Sequence, residues 1–101
     1  MKVEWSRHAE DSAARAAQFI ARDKPDAALE WLVAVRESVA ALGRFPNMGR
    51  VVPEIGLPEF RELVIPPYRL VYQILKGRVV VVAVRHARSS WRDPADDTES
   101  T

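Results

Sequence analysis

The 101-residue sequence contains no cysteine, only two histidines and only four glycines. Without cysteine there is neither a disulfide framework nor a thiolate metal site, and the chain suits a reducing compartment. Two histidines do not supply a structural zinc site, so neither metal nor cofactor is expected. A glycine-rich phosphate loop, a paired-carboxylate arrangement and a serine nucleophile motif are also missing, which sets aside the common nucleotide-binding and hydrolytic chemistries. No apolar run approaches the roughly 18 residues that span a bilayer. The opening Met-Lys-Val-Glu-Trp-Ser lacks the apolar centre of a signal peptide, so a soluble, cytoplasmic protein with no membrane partner is expected.

What remains is one domain's worth of core. Apolar residues make up 48% of the chain, and its length is close to the commonest domain size. The net charge of +1 hides an asymmetry along the sequence. Residues 1–60 carry eight Lys/Arg against nine Asp/Glu, whereas residues 61–92 carry seven basic side chains against Glu62 alone. The tail 93–101 adds four carboxylates and no base. A single domain over residues 1–92 and an acidic, disordered tail over 93–101 are therefore expected, with the basic region offered to an anionic partner.

Periodicity gives the elements in order. Lys2–Trp5 alternates polar and apolar as a short strand does. Ser6 stands where an N-cap belongs, ahead of a helix over about 7–22 whose Ala9, Ala13, Ala16, Ala17 and Ile20 share a stripe. Pro25 fits the first turn of a second helix, with Ala28, Trp31, Leu32, Val35, Val39 and Leu42 as its apolar face. Gly43 is expected to stop that helix in the left-handed conformation. The short link between the two helices predicts an antiparallel hairpin.

Residues 47–58 read as a loop, punctuated by Gly49, Pro53, Gly56 and Pro58. Phe60–Ile65, Tyr68–Leu75 and Val79–Val84 read as strands. The last is apolar at every residue and so belongs at the centre of a sheet. The order β-α-α-β-β-β predicts an α+β fold, with the helical hairpin covering one face of a small antiparallel sheet.

The chemistry left to this chain is that of arginine with one histidine. A guanidinium grips a phosphate or carboxylate with two parallel hydrogen bonds, and a histidine moves protons near neutrality. His86 follows the buried run, at a strand end that can hold a side chain at the edge of the core. Arg61 and Arg69, on adjacent strands, are expected to approach one another, which favours an anion between them. Arg50 reaches the same face from the loop or pairs with Glu54. Trp91 stacks on a base, fills a partner's pocket or caps the sheet edge.

The runs "FPNMGRVVPE", "FRELVIPPYRLVYQI" and "VVVVAVRHARSSW", with "DKPDAALEWL" at the second helix, resemble the ParE/RelE superfamily of toxins from bacterial type II toxin–antitoxin modules. The resemblance spans about residues 3–92. It implies a toxin held inactive by a cognate antitoxin that wraps the helical hairpin and sheet, with promoter DNA bound only through that antitoxin.

Two branches are implied. RelE-like members cut mRNA on the ribosome without a metal. In that reading Arg61, Arg69 and Arg88 surround the scissile phosphate and His86 is the general acid or base. ParE-like members inhibit DNA gyrase, and Arg50, Arg61, Arg69, His86, Arg88 and Trp91 then form a target-binding surface. Leu63 stands where the nuclease pattern has a lysine, and no tyrosine follows the final strand. The loop "PNMGRVVPE" and the ending "RHAR" look more like the ParE side, and the expectation leans that way.

Overall fold

The computed structural model describes residues 1–88, so Trp91, Arg92 and the acidic tail lie outside the described residues. Strand β1 (Lys2–Trp5) leads into helix α1 (Arg7–Asp23), and helix α2 (Pro25–Leu42) follows. Then come β2 (Arg50–Val51), β3 (Phe60–Ile65), β4 (Tyr68–Leu75) and β5 (Arg78–His86). The sheet runs β1-β5-β4-β3-β2.

Local chemistry explains the boundaries. The Ser6 hydroxyl accepts the Ala9 amide at 3.0 Å, satisfying one of the first-turn donors of α1. Lys24 is extended, ends α1 by donating its amide to Ile20 O, and leaves Pro25 to open α2. Pro66 and Pro67, joined by a cis peptide, turn β3 into β4. Gly77 turns β4 into β5 at φ 73°, a conformation that costs glycine nothing.

Three expectations are corrected. Gly43 is right-handed, at φ −63° and ψ −29°. Its smallness serves a close approach instead, because a Cβ there would lie 2.9 Å from the carbonyl oxygen of Met1. The 47–58 stretch is not all loop, since β2 pairs antiparallel with β3 through Arg50↔Glu62 and Val51↔Arg61. The sheet is mixed and five-stranded, because β1 pairs in parallel with β5. A two-residue ladder leaves no periodic signal, and a pairing across more than 70 residues leaves none either.

Both helices cover one face. Ala9, Ala13 and Ala16 let α1 lie close against β5 and α2, and Trp31, Val35, Val39 and Leu42 of α2 fill the space over Leu70, Tyr72, Val79 and Val81. Burying a leucine such as Leu42 or Leu70 contributes roughly 1.5–3 kcal/mol. Trp31 reaches further, donating Nε1–H to Ile65 O at 3.0 Å while its ring meets Tyr68 edge-on at 5.4 Å. Leu32, expected in this face, is 39% exposed.

The run Val79–Val84 is central, as its composition requires, but its register is interrupted. Val71 faces Ala83 whereas Tyr72 faces Val81, so Val82 is an extra residue, a β-bulge. Its loosened backbone is satisfied from α1 and its N-cap. Ser6 Oγ donates to Val82 O at 3.3 Å, and Ser12 Oγ accepts the Val84 amide at 3.0 Å. Past the bulge, His86 comes to the helix-covered face opposite Tyr68, and Arg85 to the outer face opposite Arg69.

Candidate functional site

Strand alternation divides the basic residues between the two faces. Arg69 is opposite Val64, and Arg61 lies three residues before Val64 on the same strand. An odd offset reverses the face, so the expected approach of Arg61 to Arg69 does not occur.

On the outer face Arg69 is 5% exposed and Glu62 only 1%. One guanidinium nitrogen of Arg69 donates to Glu62 Oε1 at 2.8 Å, and the other to Glu54 Oε2 at 2.6 Å. Arg50 donates its Nε–H to the second oxygen of Glu62 at 2.6 Å. Glu62 is thus shared by two arginines, and Arg50 pairs with it and not with Glu54. Hydrogen bonding by Glu54 and the field of both carboxylates hold Arg69 above the ordinary guanidinium pKa, against the opposing effect of burial. Glu54 comes from the segment between β2 and β3. That segment folds over this face, where Val52, Val71 and Ala83 make a small second core with Ile55 and Phe60.

Arg61 has different partners. Its Nε–H donates to Pro58 O at 3.0 Å and a terminal nitrogen donates to Gly49 O at 3.0 Å. Tyr72, opposite Arg61 in the ladder, is fully buried. Its hydroxyl donates to Pro46 O at 2.6 Å and accepts the Gly49 amide at 2.9 Å. Burial raises the Tyr72 pKa, opposed by the Gly49 amide and by the positive charge of Arg61. Gly49 admits no side chain, since a Cβ would stand 2.8 Å from that hydroxyl and 2.6 Å from Glu62 O. The loop after α2 is therefore clamped to the sheet.

His86 and Arg88 sit together at the end of β5. His86 is half-buried, its ring 5.5 Å from that of Tyr68, and its Nδ1 accepts the Arg88 amide at 3.2 Å. The expected residues therefore fall into three groups, with Arg50 and Arg69 around Glu62, Arg61 under the loop, and His86 with Arg88 at the strand end. Sequence reasoning missed Glu62 and Tyr72 as organisers. Glu62 had a signal, being the one acid among the charges of residues 61–92. Away from these groups, an apolar groove runs between β1 and α2, lined by Val3, Trp5, Leu32, Val35, Arg36 and Val39.

The sequence profile of the ParE toxin of type II toxin–antitoxin systems, parDE, matches residues 3–91. The chain belongs to the ParE toxin family. Among solved structures, a chain of the chromosomal ParDE toxin–antitoxin system from P. aeruginosa resembles this ParE-family toxin with a TM-score of 0.70. The two are 19% identical, over 85% of this chain and 95% of that one, a likeness that speaks for the fold. No curated protein sequence gives a significant match. Among the described residues of this ParE-family toxin, no helix is long and apolar enough to cross a membrane.

Proposed function

We propose that this ParE-family toxin arrests growth by binding DNA gyrase, as one protein binds another, and that a cognate antitoxin neutralises it. The observation that carries this reading is the pairing of Arg69. A nuclease of the RelE type needs sheet arginines turned toward a phosphate, with a proton carrier beside them. Arg69 is spent on two carboxylates beneath a covering loop, and His86 stands on the opposite face of the sheet. The groove beside α2, on a helix that also exposes Leu29 and Val33, offers an antitoxin an apolar seat. Promoter DNA is then reached through the antitoxin alone.

Induced expression of the wild type and of His86→Ala in parallel tests the reading. DNA breaks and SOS induction, with intact mRNA, are expected from both proteins. Immediate arrest of translation with cleaved mRNA, lost in His86→Ala, would establish the nuclease instead. Normal growth would leave a toxin fold that only binds its partner.

A further inference from the structure

Between Glu37 and Glu54 the sequence has no acidic residue, and its only charges are Arg44 and Arg50. The same stretch carries Phe45 and Met48, which are 59% and 47% exposed, and across the loop Leu57 is 46% exposed. Arg61 joins the two segments, since it donates to Asn47 O at 3.5 Å and Gly49 O at 3.0 Å on either side of Met48, and to Pro58 O at 3.0 Å next to Leu57. A 3.1 Å hydrogen bond from the Met48 amide to Phe45 O closes the turn that carries both residues. The Arg44 guanidinium lies over the Phe45 ring, 5.9 Å from its centroid.

Single exposed apolar side chains are ordinary on a protein surface. Three carried on a backbone clamped by Arg61 and by the buried Tyr72 hydroxyl differ, because the entropy of ordering that backbone has been spent before any partner arrives. Preordered aromatic and aliphatic anchors ringed by charge are the composition of an interface centre. The ring here is cationic. Arg61 donates to carbonyl oxygens, which leave its charge unneutralised, and Arg44 adds a second positive charge over Phe45, whereas Arg50 is turned to Glu62.

We propose that Phe45, Met48 and Leu57, flanked by Arg44 and Arg61, form the surface on which the toxin meets its target, a protein presenting an apolar pocket rimmed by carboxylates. The inference rests on the protein-binding reading of growth arrest given above. A protein is favoured over nucleic acid because a phosphate backbone offers no surface against which Met48 and Leu57 gain by burial.

Met48→Glu and Phe45→Glu, made separately, test the proposal. Purified toxin is measured for inhibition of gyrase supercoiling, growth arrest is scored on induced expression, and the thermal midpoint checks the fold. The expected result is at least a tenfold rise in the toxin needed for half-inhibition, with weakened growth arrest and an unchanged midpoint. Should one variant unfold, the other decides, with Leu57→Ser as a third.

Potency equal to wild type in the folded variants would overturn the proposal. So would a loss that tracks weakened binding to a duplex DNA oligonucleotide without gyrase, which would make this a nucleic-acid surface. If the wild type arrests growth yet leaves gyrase untouched, the gyrase reading fails. The surface is then judged on growth arrest alone, retained arrest in the variants sinking it and lost arrest upholding it. A wild type that neither arrests growth nor inhibits gyrase overturns both.

Discussion

Arg61 and Arg69 stand on neighbouring strands of one sheet, and their surroundings could hardly differ more. Arg69 faces two carboxylates under a folded-over loop, and its charge is cancelled inside the protein. Arg61 faces main-chain carbonyls, which take its hydrogens and leave its charge standing at the surface. One builds the fold's interior on the outer face, and the other fixes a loop while remaining cationic. An arginine's partners, more than its presence, decide whether it can serve an anionic ligand.

The contrast can be broken most severely at Glu62. Glu62→Gln keeps the shape but removes the charge shared by Arg50 and Arg69. About 3 kcal/mol of stability should be lost, because Arg69 is left buried with Glu54 alone, and urea unfolding measures this.

A smaller loss, about 1–3 kcal/mol by the same method, is expected from Tyr72→Phe, which orphans the buried Gly49 amide. This variant also sharpens the contrast, since faster amide hydrogen exchange should appear at residues 46–50 and leave β5 protected.

The least effect belongs to the solvent-exposed pair of Arg78 and Glu4, 2.9 Å apart. Hydrogen bonding by Arg78, more than that by Lys2, holds the Glu4 carboxyl below its ordinary range against a desolvation that raises it. A depressed carboxylate stabilises the fold above its unfolded pKa, and that contribution fades as pH falls through the folded value. Arg78→Gln should therefore raise the Glu4 titration midpoint in an NMR pH series while leaving stability near neutral pH almost unchanged.

Most of the element pattern was legible in the sequence for local reasons. Ser6 caps, Pro25 opens a helix, Pro66-Pro67 and Lys76-Gly77 turn the chain, and the valine run seeks the centre. Each acts over a few residues. The parallel seat of β1 was not legible, because it depends on a contact across the whole chain. The division of the arginines was legible in part. A tight turn at Pro66-Pro67 sets Arg69 opposite Val64, and parity then separates it from Arg61. What no spacing could reveal is that a loop would fold back to place Glu54 on Arg69, or that a bulge at Val82 would exchange the faces, putting His86 on the helix-covered side and Arg85 on the outer one. The superfamily resemblance was carried by ordered short motifs along the chain, and those are the features a family profile also reads.

Strand β5 is the last described strand in the chain, yet it lies between β1 and β4. Strand β1 therefore has no neighbour in the sheet until residues 78–86 have left the ribosome. A nascent chain can form its helical hairpin early, since those contacts are local, but β1 must wait for β5 to be translated. Order of synthesis and order of assembly are opposed here. A truncated product lacking that final stretch would leave β4 unpaired on one side and β1 with nothing to join, so premature termination yields no half-working toxin.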